Sequence, residues 1–372
     1  MREVVARLVE ELEQVSASQF ATLLETTLGE VEGVSEVAVW LVDFGFTQLH
    51  DLAGRREAIP VAGSRAGRVV LTGEPVLHQD MVFLPLGRRG QVMGVLELRG
   101  DLHPDLNLVA VVIADSLVAT RRHSDVVDRV RGGDRLGLAA TIQYELLPHP
   151  SCLDQGMEVA GMLEPAYDIA GDAFDYAINP EATYLALFDA VGHGLRSTTL
   201  TSLAVGTYRL MRRQGRSPAE TAIAIDRAVA ANGRPGEFVT GLLVELRPDQ
   251  RLLRVWNGGH LPPLLIRDRN AIVVEPDPVL LPFGLGPEMA EPVTMPLQPE
   301  DQLFMYTDGV VQAKNSELAF WGLDSLQQVV TARVDERIPL FQVCRAVLQG
   351  VIDYVDGPLE DDATVVGLRW TG

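Results

Sequence analysis

The sequence predicts an α+β protein with more than one domain, on three observations. Short apolar runs rich in β-branched residues alternate with stretches whose apolar residues recur at helical spacing. The 372 residues correspond to two or three domains at ~150 residues each. Beyond Pro150 the pattern changes, because short apolar strands now end repeatedly in acidic or glycine-rich loops.

The composition excludes several classes of protein. Hydrophobic residues make up 47% of the chain and charged residues 22%, so the chain is not generally disordered. The formal charge of −20 argues against a surface for the phosphates of DNA, and we expect no binding to nucleic acid or to anionic membranes. Cys152 and Cys344 are too few for a disulfide framework, which favours a reducing compartment.

No stretch of the sequence predicts a membrane span or a signal peptide. The longest apolar stretch, Leu106–Ala119, is too short to cross a bilayer and includes Asp115. Residues 1–15 predict an acidic amphipathic helix rather than a signal peptide. We therefore expect a soluble cytoplasmic protein.

The first ~120 residues predict a helix, several short β elements and a second long helix. Val37–Val42 and Gln91–Leu98 are β-rich runs, and Gly67–Thr72 predicts another short β element, closed by the turn that begins at Gly73. From Leu106 to about Val130 the apolar residues recur at i, i+4 and i+8, so one helix is predicted over this stretch.

The domain boundary is predicted within residues 121–150. Gly132-Gly133 interrupts the long helix and is expected to act as a hinge, and a second helical piece runs from Asp134 to Leu147. We expect Leu138, Ile142 and Leu146 of this piece to pack on the C-terminal domain. The predicted organisation is therefore an N-terminal domain over 1–120, a helical linker over 121–150 and a second domain over 151–372.

The C-terminal domain predicts a largely antiparallel α+β arrangement. Residues 195–213 form one predicted helix, and a capping box at Ser217–Glu220 opens another that ends near Ala231. The predicted strands are Met157–Leu163, Tyr184–Phe188, Phe238–Leu246, Leu252–Trp256, Gln302–Tyr306 and Thr364–Trp370.

Acidic residues recur where these predicted strands begin or end. The positions are Asp172, Asp189, Asp308 and the pair Asp361-Asp362. Carboxylates beside apolar strands are costly unless a positive group meets them, and no lysine or arginine recurs beside these positions. Oxygen ligands with few histidines suit Mg²⁺ or Mn²⁺ rather than Zn²⁺.

A single Asp-Gly after a strand is usually only a turn, which is the alternative interpretation. Four such positions in order make turns alone a poor explanation, and the spacing by itself predicts a binuclear metal hydrolase. Neither cysteine begins a C-x₅-R loop, so a covalent cysteine route is excluded.

Seven motifs lie in order along residues 138 to 372. They are Ile142-Gln143 with Leu146-Leu147-Pro148, AYDIAGDAFDY over Ala166–Tyr176, FDAVGHG from Phe188, Phe238-Val239-Thr240, Asn257-Gly258-Gly259-His260, YTDGV from Tyr306, and DDAT from Asp361. In this order they resemble the PPM-type serine/threonine phosphatases of bacterial stress and sporulation control, the RsbU/SpoIIE-like group.

The resemblance implies an α-β-β-α sandwich that holds two Mn²⁺ or Mg²⁺ ions. Carried over position by position, Asp172, Asp189, Asp308 and Asp361 become the metal-binding carboxylates and act in catalysis through a metal-activated water. Asp189 would bridge the two ions, and the backbone carbonyl of Ala190 would add a ligand. The sequence departs from the family pattern at two positions, Ala170 for a glycine and Gln312 for a glutamate, and neither change removes a ligand.

Other polar residues near these motifs have competing interpretations. His193 would either donate a proton to the leaving seryl oxygen or only shape its glycine-rich loop, and the second interpretation is preferred. His260 is expected to be a turn or core histidine. Asp168, Asp175 and Asp362 are expected to cap or orient neighbouring groups, with an extra ion as the alternative.

Residues 15–120 resemble a GAF domain more faintly. The segments that carry this resemblance are Ala62–Val76, Leu84–Leu86 and Gln91–Leu98. No cysteine precedes Cys152, so thioether attachment of a bilin is excluded, and the cyclic-nucleotide pattern NKFDE is missing. The segment is either a sensor or a dimerisation module without a ligand.

Together these features predict a metal-dependent phosphoprotein phosphatase controlled by its N-terminal module. The resemblance implies that its substrate is a phosphorylated STAS-type anti-anti-sigma protein. A homodimer through the N-terminal half and the linker helix is expected. The alternative is a non-catalytic signalling scaffold that keeps the phosphatase fold only to bind a partner.

Overall fold

The computed structural model of the chain describes residues 2–100, 105–132, 136–166, 171–275, 280–286, 292–334 and 338–372. The chain divides into two compact units, Met1–Leu136 and Gly137–Gly372. In the described ranges, no helix is long and apolar enough to span a bilayer. Of the residues discussed above, Gly133, Asp134, Asp168 and Ala170 lie outside the described residues.

The first unit is built on one antiparallel sheet. Its helices are α1 (Arg2–Gln14), α2 (Phe20–Gly29), α3 (Arg65–Thr72), α4 (Leu106–Arg121) and α5 (Val126–Val130), with a 3₁₀ turn at Ala17–Gln19. Its strands are β1 (Ser35–Val42), β2 (Gln48–Asp51), β3 (Ile59–Pro60), β4 (Val76–His78), β5 (Met81–Arg88) and β6 (Gln91–Arg99). The strand order is β3-β2-β1-β6-β5-β4.

Helices α1, α2 and α4 bury their apolar sides against one face of this sheet. Leu8, Leu24 and Ile113 of these helices share a core with alternate residues of the strands, such as Leu41 and Leu96. Since β1 is buried from Val37 to Val42 and β6 from Val92 to Leu96, both strands occur in the sequence as continuous apolar runs.

Two of the predictions for this unit were wrong. Gly67–Thr72 belongs to helix α3, which Ser64 caps by accepting a hydrogen bond from the backbone N–H of Gly67 at 2.9 Å. A glycine is required at position 67, because a Cβ there would lie 1.8 Å from the carbonyl oxygen of Val61. The single helix predicted from Leu106 to Val130 is two helices, since residues 122–125 are not helical and include Ser124 and Asp125, which favour helix starts.

The second unit contains two sheets and two pairs of covering helices. Its helices are α6 (Leu138–Leu146), α7 (Leu195–Arg213), α8 (Pro218–Asn232), α9 (Asp308–Val311), α10 (Gly322–Thr331) and α11 (Leu340–Tyr354). Its strands are β7 (Ser151–Asp154), β8 (Met157–Glu164), β9 (Asp172–Ile178), β10 (Thr183–Ala190), β11 (Val239–Arg247), β12 (Leu252–Gly258), β13 (Leu264–Arg267), β14 (Asn270–Val273), β15 (Val293–Pro296), β16 (Gln302–Tyr306) and β17 (Ala363–Trp370).

The sheets have the orders β15-β12-β11-β10-β9 and β14-β13-β16-β17-β8-β7, and the strand pairings among the described residues are antiparallel. One apolar core lies between the sheets, with Phe174 and Leu187 from the first sheet and Met305 and Val366 from the second. Helices α7 and α8 cover the outer face of the first sheet, and α11 lies on β8 and β17 of the second. This arrangement is the predicted α-β-β-α sandwich.

The predicted elements of this unit agree closely with the structure. Helix α7 has the predicted bounds, and the capping box at Ser217 and Glu220 is formed in both directions. Helix α6 corrects one expectation, because Leu138 is 67% exposed and does not pack on the unit. It is the first residue of the helix. Leu146 is half-buried and packs on the core of the unit as expected, Ile142 is half-buried, and the fully buried residues of α6 are Ala140 and Gln143.

Substitution of Gly161 by alanine should destabilise this unit through a clash between the two sheets. A Cβ on Gly161 of β8 would lie 2.5 Å from the ring of Phe174, which is fully buried. We expect the free energy of unfolding to fall by about 1–3 kcal/mol, measured by denaturant unfolding. Gly206→Ala in α7 is the matched control, since its Cβ would meet nothing within 4 Å. Equal stability of the two variants would contradict this packing.

Candidate metal centre

The first sheet carries two of the predicted aspartates on adjacent strands. Asp172 begins β9 and Asp189 lies near the end of β10, and the antiparallel register sets the two residues directly opposite each other. Thr240 of β11 faces Asp189 from the other side. Strand pairing alone therefore brings two carboxylates to one end of this sheet.

The second sheet carries the other aspartates at the corresponding positions. Strand β16 ends at Tyr306 and is followed by Thr307 and then Asp308, the first residue of α9. Asp361 and Asp362 directly precede β17, and β16 and β17 are paired, with the N–H of Thr307 donating to the carbonyl of Thr364 at 3.1 Å. Asp308 and the Asp361-Asp362 pair thus lie at the same end of these two paired strands.

The two sheet ends meet, because hydroxyls of Thr307 and Thr364 in the second sheet donate hydrogen bonds to Asp172 of the first. Burial, followed by the negative charges of Asp308, Asp361 and Asp362, raises the pKa of Asp189 to about 7. Burial, followed by the charges of Asp189 and Asp362, also raises the pKa of Asp172 well above its ordinary value. The structure therefore brings all four predicted aspartates into one repulsive cluster, together with Asp362.

Two threonine hydroxyls hold Asp172 from the opposite sheet. Oδ2 of Asp172 accepts hydrogen bonds from Oγ1 of Thr307 at 2.8 Å and from Oγ1 of Thr364 at 2.5 Å. The sequence analysis gave these threonines no role, although both lie inside quoted motifs. Both threonines could have been recognised in the sequence, because each is a hydroxyl residue at the end of an apolar strand and close to an acidic position.

Gln143 of α6 reaches the same cluster from outside the sheets. Its side chain is 1% exposed, and its Nε2 donates to the backbone carbonyl of Asp172 at 2.8 Å and to Oδ2 of Asp362 at 3.0 Å. The backbone N–H of Ala166 donates to Oδ1 of Asp362 at 2.8 Å. Burial raises the pKa of Asp362 to about 6, and these two hydrogen bonds oppose the rise. Asp362 is thus oriented by its neighbours.

Two glycines allow the backbones around the cluster to approach closely. A Cβ on Gly171 would lie 2.3 Å from the carbonyl oxygen of Ala190, and a Cβ on Gly309 would lie 2.1 Å from that of Asp362. Any side chain at either position would therefore push the strand ends apart.

The Asn257–His260 turn forms a hydrogen bond with the end of β16. His260 is buried, which lowers its pKa to about 4, so the ring is neutral. Its Nε2 lies 3.1 Å from the carbonyl of Tyr306 and donates to it, which leaves Nδ1 to accept from the hydroxyl of Thr240 at 2.7 Å. The expectation of a structural histidine is confirmed by these contacts.

Of the other polar residues singled out, His193 lies near the cluster and Asp175 does not. His193 is exposed, and its charge lowers the pKa of Asp361, whose pKa is raised chiefly by burial. Asp175 forms ion pairs with Arg209 at 2.7 Å and with Arg212 at 2.8 Å.

The chemistry of the cluster fits a hard divalent cation. No described lysine or arginine forms an ion pair with Asp172, Asp189, Asp308 or Asp361. Asp308 and Asp361 line a cavity of about 280 Å³, in which the ammonium of Lys314 pairs with Glu360 at 3.2 Å. In the described part of the chain, no three His, Cys, Asp or Glu side chains already form a group that could hold a metal ion. An ion would therefore have to draw the carboxylates together.

Comparison with known proteins assigns the second unit to a family. The model of the family described as Stage II sporulation protein E (SpoIIE) matches residues 179–371, which is more than half of the chain. The chain belongs to the SpoIIE family. The matched region includes Asp189, Asp308 and Asp361, while Asp172 and Gln143 precede it.

Relatives of this SpoIIE-family chain include two phosphatases of Bacillus subtilis. It is 19% identical to phosphoserine phosphatase RsbU over 233 residues, which cover 62% of the chain and 69% of RsbU. It is 24% identical to phosphoserine phosphatase RsbP over 182 residues, which cover 47% of the chain and 45% of RsbP. The alignment with RsbP thus spans less than half of either protein.

Two solved structures share the fold of the second unit. The SiaA-PP2C domain of Pseudomonas aeruginosa superposes with a TM-score of 0.55 at 20% identity, covering 65% of this chain and 98% of that domain. The RsbU and RsbW domains of a Mycobacterium tuberculosis protein superpose with a TM-score of 0.52 at 23% identity, covering 58% of this chain and 60% of that one. At these identities the likeness establishes the fold alone.

In metal-free protein, Asp189→Asn should raise the melting temperature at pH 8. An unfolded aspartate ionises near pH 3.9, whereas the pKa of Asp189 in the folded chain is about 7. The folded state therefore holds a proton that the unfolded state has lost, so this group reduces stability progressively as pH rises from about 4 to about 7. The asparagine variant lacks this effect.

Thermal unfolding in EDTA at pH 5 and pH 8 measures this difference. At pH 8 we expect the melting temperature of the variant to exceed that of the wild type by roughly 2–4 °C for each kcal/mol of unfolding free energy regained. At pH 5 we expect a much smaller difference. Mn²⁺ should raise the melting temperature of the wild type more than that of the variant. A variant that melts below the wild type in EDTA at both pH values would refute the repulsion.

Gln143→Ala should weaken Mn²⁺ binding without unfolding the protein. The substitution removes the donor shared by the carbonyl of Asp172 and the carboxylate of Asp362. Loss of such an outer partner typically costs about 10–100-fold in metal affinity. Calorimetric titration with Mn²⁺ measures the change, with Thr141→Ala on the exposed side of α6 as the control. Equal Mn²⁺ affinity of the two variants would rule out this role for Gln143.

Proposed function

We propose that this chain is a metal-dependent protein phosphatase that removes phosphate from serine or threonine. Asp172, Asp189, Asp308 and Asp361, with the backbone carbonyl of Ala190, would hold two Mn²⁺ or Mg²⁺ ions. The observation that carries the proposal is the convergence of carboxylates from paired strands of both sheets where the two sheet ends meet, in a chain of the SpoIIE family.

The chain's own residues would provide position and charge for the reaction. When bound, the ions supply the positive charge that attracts a phosphomonoester dianion and lower the pKa of water for in-line attack. Two hydroxyls fix Oδ2 of Asp172, so its other carboxylate oxygen, Oδ1, keeps a defined position. His193 is exposed and lowers the pKa of the neighbouring Asp361, and its proposed role is to shape its glycine-rich loop, with proton donation to the leaving seryl oxygen as the alternative.

The substrate proposed from the family resemblance is a phosphorylated STAS-type anti-anti-sigma protein. Similarity to the phosphoserine phosphatases RsbU and RsbP supports a phosphoprotein substrate. The net charge of −20 supports a protein rather than a nucleic acid as the partner.

Control by the N-terminal half is proposed to act through α6. This helix begins two residues after the division between the units and carries Gln143 to the carboxylate cluster. Its C-terminal carbonyl, on Leu146, accepts a hydrogen bond from Arg209 of α7 at 2.6 Å. A GAF-like sensor over residues 1–120 and a homodimer through that half are parts of the same proposal.

Asp189→Asn and Asp308→Asn should abolish Mn²⁺-dependent hydrolysis of p-nitrophenyl phosphate. Each substitution removes a charged ligand at constant side-chain volume, and we expect activity to fall by at least about 100-fold, since even an outer partner is worth 10–100-fold. Circular dichroism checks that the variants are folded.

Asp249→Asn is the matched control, because Asp249 follows β11 at the end of the strand opposite to the cluster. Wild-type activity in both site variants would overturn the two-metal proposal. A wild-type protein that binds Mn²⁺ but hydrolyses nothing would favour the non-catalytic scaffold.

A further inference from the structure

Residues 314–320 form a tight hairpin that directly follows α9, which we call the 314–320 hairpin. Lys314 and Phe320 pair across it, and the N–H of Asn315 donates to the carbonyl of Ala319 at 3.1 Å. The side-chain Oδ1 of Asn315 accepts from the N–H groups of Glu317 and Ala319, both at 3.0 Å. These bonds fix the loop internally.

A second set of contacts fixes the hairpin to helix α11 and its end. The hydroxyl of Tyr354 lies 3.2 Å from the carbonyl of Ala319 and 3.3 Å from that of Phe320. The N–H of Ser316 donates to Asp356 at 3.3 Å. The hairpin is therefore held as a rigid projection although it lies at the surface.

The 314–320 hairpin exposes two apolar side chains to solvent, which is energetically unfavourable. Leu318 is 75% exposed and has φ of +61°, a left-handed conformation that favours glycine. Phe320 is 56% exposed. A leucine at this position carries both backbone strain and apolar exposure, so the fold by itself gains nothing from it.

The hairpin also forms a wall of the cavity at the carboxylate cluster. Lys314 lines that cavity together with Asp308 and Asp361, and its ammonium lies 5.8 Å from the centroid of the Phe320 ring. Lys314 therefore lies between the cavity and the exposed ring of Phe320. A polypeptide whose phosphorylated side chain entered the cavity would have its neighbouring residues over the hairpin.

Charge explains why apolar contact is needed here. The chain carries a net charge of −20, and a phosphoserine substrate brings further negative charge, so long-range electrostatics oppose their association. Apolar contact beside the cluster would supply binding energy that does not depend on charge.

We propose that Leu318 and Phe320 are the docking surface for an apolar side chain of the phosphoprotein substrate, close in sequence to its phosphorylated residue. The inference rests on the proposed phosphatase function and adds a preference for apolar residues beside the phosphoserine. The occupant is the substrate polypeptide, and a second copy of this chain is the competing occupant.

The test uses the full chain with Mn²⁺ and a set of phosphoserine peptides. One leucine is moved through each of the five positions on either side of the phosphoserine in a Gly-Ser background, and p-nitrophenyl phosphate serves as the substrate without flanking residues. We expect one or more leucine positions to raise kcat/KM about tenfold in the wild type. Leu318→Gly and Phe320→Ala should remove this preference and leave p-nitrophenyl phosphate hydrolysis unchanged.

Leu318→Gly separates docking from stability, because glycine relieves the left-handed backbone at that position. This variant should keep or raise the melting temperature while losing the leucine preference. Leu210→Ala is the matched control, since Leu210 is 54% exposed near the far end of α7.

Three outcomes would overturn the proposal: no leucine preference in the wild type, equal preference in Leu318→Gly and Leu210→Ala, or loss of self-association in Leu318→Gly with unchanged peptide kinetics. Absence of any hydrolysis by the wild type would instead contradict the proposed function. Peptide binding measured by fluorescence anisotropy would then still decide whether Leu318 contributes to docking.

Discussion

Repulsion between carboxylates at the joined ends of two sheets is the constraint around which the second unit is organised. Asp172 and Asp189 come together through strand register, and Asp308 and Asp361 through a second pair of strands. Each pairing is ordinary in itself, but the sandwich forces the two pairs to face each other. Burial, together with the neighbouring negative charges, raises the pKa of Asp189 to about 7, and a bound cation or proton would relieve the repulsion.

The surrounding structure holds this repulsive group in place without neutralising it. Threonine hydroxyls from the second sheet donate to Asp172 of the first, so the contact that positions the carboxylate also joins the sheets. Gly171 and Gly309 remove the side chains that would keep the strand ends apart. Apolar packing between the sheets contributes stability that offsets the electrostatic cost.

The sequence predicted most of this unit because its signals are local. Short apolar runs, the capping box at Ser217 and the aspartates beside strands can each be recognised within a few residues, and they lie in the structure at the predicted positions. Contacts between distant positions could not be read in this way. Gln143 and Asp362 are 219 positions apart, and neither residue alone indicates that they share a hydrogen bond.

Helix α3 shows the same limit in the first unit. Gly67 was predicted to belong to a β element before a turn. A glycine is needed there because the carbonyl of Val61 lies too close for a side chain, and that contact exists only after folding. The break after Arg121 was missed because apolar periodicity continues across it, while the helix itself does not. Periodicity predicts which side of a segment is buried better than it predicts where the segment is interrupted.

The position of Gln143 has a practical consequence for recombinant fragments of this chain. A fragment that starts at residue 151 would contain both sheets and all the proposed ligands, and it would look complete by sequence comparison. It would lack α6, so Asp362 and the carbonyl of Asp172 would lose a donor, and Arg209 would lose its acceptor on Leu146. Such a fragment would report the behaviour of a damaged centre, whereas one that starts at Gly137 would retain every contact described for it.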